Sequence, residues 1–335
     1  MADAPLLTHI KAHIRAHGFM DVETYITTAL YDPTHGYYAT QTVIGREGDY
    51  ITAPEMSQAF GEVLALWFIN LWQEGGHGAP VRLIELGGGK GTLMADMLRT
   101  FRLFPAFNTA LTQVVIVDKS PLLRAQQHAT LTDPRLDWVE ETSALPPFTG
   151  LTFIVANEFL DALPIQQYWQ NGDVRRITLG ANGNLMWEER DEPLVETCPG
   201  YEPILTDLNN LLEGGGAALI IDYGYHEGQL LKNGSSLQGM RAHRYAPVSK
   251  APGQTDITHH VNFSHVLACI DPRYTTHLTT QGAFLTALRL WERTQKLCQK
   301  ATLDEQNNLI TAAARLTAPT HMGELFKVLT ITYRL

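Results

Sequence analysis

The sequence predicts an α/β fold with a mostly parallel sheet, and two observations carry that expectation. Continuous apolar runs at 82–86 (RLIEL), 113–118 (QVVIVD), 136–139 (LDWV), 151–157 (LTFIVAN) and 217–224 (AALIIDYG) alternate with stretches of helical spacing. Strands covered on both faces read as unbroken apolar runs, whereas strands with one wet face alternate. The stretch 84–99, IELGGGKGTLMADMLR, also passes from an apolar run through Gly87, Gly88, Gly89 and Gly91 into helical periodicity. A strand that delivers the chain to a tight turn beneath a nucleotide-like ligand has this form.

The remaining elements follow in order. Leu6, Ile10 and Ile14 form a sparse helical stripe, and Met56, Phe60, Val63, Trp67 and Leu71 a stronger one, with Pro54 in its first turn and Thr52 as its cap. GGHGAP at 75–80 reads as a linker. Between the fourth and fifth apolar runs, NGD and NGN separate alternating segments as hairpin turns do, which marks a β insertion. A loop region to about 255 leads to a short helix around 262–270, a strand YTTHLTT, a helical stretch to about 317 and a last strand, LFKVLTITYRL. The division expected from this order is a helical segment over 1–76 and a larger domain over 77–335, with the β insertion at 162–200 and a helical insertion at 282–321.

Composition narrows the partners. A formal net charge of -10 and a pI of about 5.7 argue against an extended basic surface for nucleic acid. Cys198, Cys269 and Cys298 are odd in number and widely spaced, which suits neither a disulfide framework nor a thiolate metal cage. His9, His13 and His17 recur every fourth residue, but they border the Leu6–Ile10–Ile14 stripe with no carboxylate among them, so no metal is expected. No apolar run is long enough to span a bilayer, and the first 25 residues carry acids that a transit peptide avoids. The expectation is a soluble, cytoplasmic protein of open oligomeric state.

Three ligands compete for the glycine turn. A P-loop needs Ser or Thr directly after Gly-Lys, but Lys90 is followed by Gly91. A dinucleotide fingerprint places a third glycine where Thr92 stands, which weakens that reading and leaves it open. The spacing that fits is Gly87-x-Gly89-x-Gly91 preceded by Glu85, the form of motif I in class I methyltransferases that use S-adenosylmethionine. Glycines let the backbone approach the ligand, and the helix beginning near Gly91 offers free N–H groups. Asp118, at the end of the next strand and followed by Lys119 and Ser120, would accept the ribose hydroxyls.

The blocks GREGDYITAPEMSQAFGE (45–62), IELGGGKGTLMADMLR and ANEFLDALPI (156–165) resemble the signature blocks of the MidA family. DYG at 222–224, QTDITHHVNF at 254–263 and MGELFKVL at 322–329 are similar to further blocks, so the resemblance spans nearly the whole chain. Gly88 stands where the family commonly has proline, and Lys90 where it commonly has arginine. The resemblance implies a class I methyltransferase (Rossmann-like) fold with an antiparallel last strand and S-adenosylmethionine as cofactor. Mitochondrial members methylate an arginine on a subunit of respiratory complex I during assembly. The implied function is therefore protein arginine N-methylation with a role in respiratory complex assembly.

Methyl transfer from a sulfonium is an in-line displacement, so positioning matters more than a strong base. Guanidinium stays protonated and pairs with carboxylates, which places the acceptor site at Asn157, Glu158 and Asp161, just beyond the fourth apolar run. The same residues also suit a helix start, Asn157 as cap and the two acids complementing the dipole. Within the 45–62 block, Gly48, Asp49, Thr52 and Glu55 are expected to cover the cofactor, the helix start at Thr52 to Ser57 receiving the methionine carboxylate. His260 matches a family histidine and suits proton acceptance, although a structural histidine suits the position as well. The rival readings are an assembly factor that binds the cofactor only for stability, a nicotinamide oxidoreductase, and methylation of another nitrogen or of a small molecule.

Overall fold

A computed structural model of the chain describes residues 4–40, 52–75, 78–226, 234–241 and 244–335. The chain forms two compact units, one of Met1–Tyr50, Asp161–Pro203 and His226–His260, the other of Ile51–Leu160, Ile204–Tyr225 and Val261–Leu335. This grouping differs from a division at 76 and 77, because residues 52–75 pack within the second unit, against the helix that follows the glycine turn.

The second unit carries the main sheet. Its strands are β1 (Val81–Leu86), β2 (Leu111–Val117), β3 (Leu136–Val139), β4 (Leu151–Asn157), β5 (Gly216–Tyr225), β6 (Thr275–Thr280) and β7 (Phe326–Tyr333), in the order β6-β7-β5-β4-β1-β2-β3, with the short strand Val261–Asn262 pairing parallel to the end of β5. From β5 to β3 all pairings are parallel, while β7 runs antiparallel to both β5 and β6. Every residue of β1 is buried, which is why its sequence does not alternate.

One face of this sheet is covered by α2 (Gln58–Glu74) and α3 (Thr92–Phe101). Phe60, Val63, Leu64 and Phe68 of α2 and Met94 and Met97 of α3 join Leu83, Ile116, Phe153 and Val155 in one core. The stripe from Met56 to Leu71 is not one helix. α1 (Ala53–Met56) ends at Ser57, whose backbone is extended and whose hydroxyl accepts from the N–H of Ala59 to cap α2. A serine that satisfies a free N–H starts a new helix without disturbing the apolar spacing, so periodicity runs through the break. The C-terminal helical stretch is likewise divided, into Gln281–Ala287, Leu290–Cys298 and Leu303–Thr317, the last held by a Thr302/Glu305 capping box.

The first unit contains helices Pro5–His17 and Val22–Tyr31 and several short antiparallel pairings. Arg176–Leu179 lies between Met20–Asp21 and Leu185–Trp187, and Gln166–Trp169 pairs with Leu194–Thr197. The turns at NGD and NGN hold Gly172 and Gly183 at φ +87° and +74°. His13 and His17 stack with ring centroids 4.3 Å apart, and His9 faces Asp32 at 3.9 Å. Among the described residues no helix is long and apolar enough to cross a membrane.

Candidate functional site

Register alone brings the sequence candidates of the second unit together. Glu85, Ile116 and Val155 are in register across β1, β2 and β4. Alternate strand residues share a face, so Asp118 and Asn157, two residues further on, project to the same side as Glu85, with Gly87 between them. Neighbouring strands lie about 4.8 Å apart, so this row at the carboxyl edge spans roughly 10 Å. It faces the side covered by α2 and α3.

The turn is built for close approach. Gly87, Gly89 and Gly91 take φ of +71°, +53° and +84°, and Gly91 forms the N-terminal boundary of α3. A Cβ at Gly87 would meet Cδ2 of Phe159 at 2.8 Å, because the chain leaving β4 lays that ring on the turn. A Cβ at Gly88, where the family commonly has proline, would meet Cγ2 of Ile116 at 2.7 Å, so glycine matches its neighbours in this chain.

Asp118 is 8 % exposed and held at both oxygens, Oδ1 by the N–H of Ser120 (2.9 Å) and Oδ2 by Nε2 of Gln127 (2.8 Å). Burial raises its pKa, and these bonds oppose the rise. Gln127, fully buried on α4 (Pro121–Thr130), also donates to the carbonyl of Gly89 (2.9 Å) and accepts from Nε1 of Trp138 (3.0 Å). One amide thus ties the turn to the acid. Sequence reasoning passed over Gln127, although it is a polar residue in the Leu123–Gln127–Leu131 stripe. Gln127→Leu should cost about 1 to 3 kcal/mol of stability and weaken cofactor binding about tenfold or more, since it leaves buried partners unmatched. Calorimetry with S-adenosylhomocysteine beside a thermal melt checks this, and parental affinity would contradict it. Lys119 instead points outward to Glu141 (3.0 Å), and Ser120 caps α4 through the N–H of Leu123.

Glu158 does not begin an α-helix. The chain leaves β4 with Glu158 at φ +52° and continues into a 3-10 turn over Leu160–Ala162. A left-handed backbone costs a non-glycine residue about 1 to 2 kcal/mol, so the reading as a first-turn helix acid loses its helix. Oε1 of Glu158 accepts from Nδ2 of Asn157 (3.1 Å) and from the N–H of Ala53 (3.2 Å), at the start of α1.

The block ending in APEMSQAFGE is distinctive because three of its residues pack on α3. Glu55 accepts from the hydroxyl of Thr92, the first residue after the glycine turn. Gly61 lies so close that a Cβ there would sit 2.7 Å from Cβ of Asp96. Glu62, buried, accepts from Arg99 (3.2 Å) and Arg293 (2.5 Å). Thr52 flanks α1 and makes no side-chain cap bond. Gly48 and Asp49 lie outside the described residues.

Asp161 and His260 belong to the first unit. The Asp161 carboxylate is buried and its carbonyl accepts from the N–H of His259 (3.0 Å), while Nε2 of His260 is 2.6 Å from Nε2 of Gln238. His259, rather than His260, is the deeply buried histidine, 3 % exposed with Nε2 2.9 Å from the hydroxyl of Tyr201. Burial pushes its pKa down to about 3, against a smaller opposing pull from the Asp161 backbone. A depressed histidine pKa gives stability that is complete above the ordinary value of about 6.5 and lost as pH falls below it. Between pH 7 and 5 the parent should therefore lose about 2 kcal/mol more than His259→Gln. Urea melts at both pH values decide this, and parallel losses would contradict it.

Two buried acceptors in the row have no partner among the described residues: Oε2 of Glu85 and Oδ1 of Asn157. Burial, then the Asp118 charge, holds the Glu85 carboxyl well above the usual range. Buried polar atoms without partners are costly unless a ligand completes them, and a ligand cation beside Glu85 would offset the burial and the Asp118 charge that favour its neutral form. S-adenosylmethionine, with its ammonium and sulfonium charges, fits this donor-poor edge.

Residues 63–194 and 182–279 match the profile of a family of S-adenosyl-L-methionine-dependent methyltransferases. The chain is similar to the mitochondrial protein arginine methyltransferase NDUFAF7 of Xenopus tropicalis, 32% identical over 97% of this chain and 85% of the relative. The human protein of that name is 29% identical over 96% of this chain and 82% of its own length. A crystal structure of a Burkholderia thailandensis protein bound to S-adenosyl-homocysteine superposes with a TM-score of 0.82 at 25% identity, covering 100% of this chain and 95% of that one. The cytoplasmic assignment is corrected by these relatives, which are mitochondrial proteins by name. With a family profile over most of its length and relatives matched nearly end to end, the chain belongs to the S-adenosylmethionine-dependent methyltransferases of the MidA type.

Proposed function

We propose that the protein transfers the methyl group of S-adenosylmethionine to an arginine nitrogen of a protein substrate. The observation that carries this reading is Glu158, a carboxylate in left-handed backbone beside the row of Gly87, Asp118 and Asn157. The relatives named protein arginine methyltransferases support it. A partner in respiratory complex assembly is what the family resemblance implies.

Glu85 and Asn157 would hold the cationic end of the cofactor, Asp118 the ribose, and the glycine turn the backbone approach. The bound cofactor supplies an electrophilic methyl on a sulfonium. Glu158 pairs with the acceptor guanidinium, orients one nitrogen, and keeps positive charge on those not attacked. A methylated nitrogen would then give up its proton to solvent or a nearby base. The positive φ sets the carboxylate before substrate arrives, so less ordering remains to be done at the reacting centre.

Release of S-adenosylhomocysteine tests the acceptor class, with a dialysed protein fraction of cell extract compared with its small-molecule filtrate. Turnover with the protein fraction is expected. Turnover with the filtrate alone supports a small acceptor, and none with either supports binding without catalysis.

A further inference from the structure

We propose that Asp222 is a positioning residue for the acceptor carboxylate, holding the turn that keeps Glu158 in its left-handed conformation. This rests on the reading of Glu158 given above. Asp222 interrupts an otherwise apolar strand, β5, and is 0 % exposed. Ile221 is in register with Asn157, so Asp222, one residue on, projects to the opposite face of the sheet from the cofactor row. From there Oδ2 accepts from the N–H of Phe159 (3.2 Å) and of Leu160 (2.9 Å), while Oδ1 accepts from the N–H of Tyr223 (2.9 Å). The N–H of Glu158 donates to the carbonyl of Ile221 (2.9 Å), so both sides of the strained residue are tied to adjacent residues of β5.

A wholly buried carboxylate is a costly way to satisfy a loop. Its advantage is strength. Hydrogen bonds to a charged acceptor are about twice as strong as neutral ones, and two of them converge directly after the residue whose backbone is strained. Fixing Phe159 also fixes the ring that lies on Gly87, so one acid aligns the acceptor carboxylate with the cofactor turn. Lys327 is in register with Asp222 on β7, and its ammonium donates to the carbonyl of Glu324.

The test uses Asp222→Asn, Glu158→Gln, Glu158→Asp and the Asp222→Asn/Glu158→Asp pair in the full chain. Three quantities are read: S-adenosylhomocysteine affinity by calorimetry, labelled methyl transfer from S-adenosylmethionine into an extract of cells lacking this protein, and amide exchange at Phe159 and Leu160. Asp222→Asn should keep affinity within about twofold, lower turnover at least about tenfold and speed both amides, while Glu158→Gln loses turnover with both amides still slow. Because Asp222 acts through Glu158, its cost should shrink in the Glu158→Asp background; a merely structural aspartate would cost the same factor in both. Parental turnover in Asp222→Asn beside an inactive Glu158→Gln, an equal factor in the two backgrounds, or unchanged amide exchange overturns the positioning role alone. Parental turnover in Glu158→Gln removes the reading on which it rests. If Asp222→Asn does not fold, Asp222→Ser, which removes the carboxylate and keeps a small polar side chain, is judged by the same outcomes.

Discussion

Glu158→Gln should reduce methyl transfer by about two or more orders of magnitude and leave cofactor affinity near the parental value. The amide keeps the size of the side chain and one acceptor for the N–H of Ala53, but it loses the charge that pairs with guanidinium. Little stability should change, since no α-helix starts at Glu158 and the amide oxygen can still accept from the N–H of Ala53 at the start of α1. A transfer assay, a cofactor titration and a melt on one preparation measure all three. Full activity with slightly lower stability would retire the assignment.

Gly87→Val should abolish cofactor binding. Two independent obstacles coincide there: a φ of +71°, which a β-branched residue adopts only with strain, and a Cβ position 2.8 Å from the Phe159 ring. Either the turn opens or Phe159 moves, and each takes the row at the carboxyl edge out of alignment. The core between the sheet and α2 lies elsewhere, so circular dichroism should still show a folded chain. Normal affinity for S-adenosylhomocysteine in the folded variant would mean that the turn does not face the cofactor.

The sheet was legible because its strands are buried on both faces. RLIEL, LTFIVAN and AALIIDYG have no alternation to confuse with a helix, and each forms a strand within two residues of its apolar bounds. The antiparallel last strand followed from the family resemblance, and the hairpins of the β insertion from NGD and NGN. The break at Ser57 was not legible, since Met56 and Phe60 keep helical spacing across it. Gln127 and Asp222 were missed for a common reason. Each is a polar residue in an apolar pattern, which sequence shows only as an interruption, and its meaning lies in bonds that include a partner 38 positions away for Gln127 and 62 for Asp222. The backbone of Glu158 was hidden too. ANEFLDA is compatible with a helix start, and the clamp from Asp222 that favours the other outcome comes from a strand much later in the chain.

The most direct measurement is the site of the methyl group. Labelled S-adenosylmethionine is supplied to an extract of cells lacking this protein, together with the parent chain or Glu158→Gln, and labelled peptides are mapped by fragmentation. The account predicts methyl on an arginine nitrogen of a protein with the parent chain and none with the variant. Label on another residue type or on a small molecule, or equal label with Glu158→Gln, would contradict it.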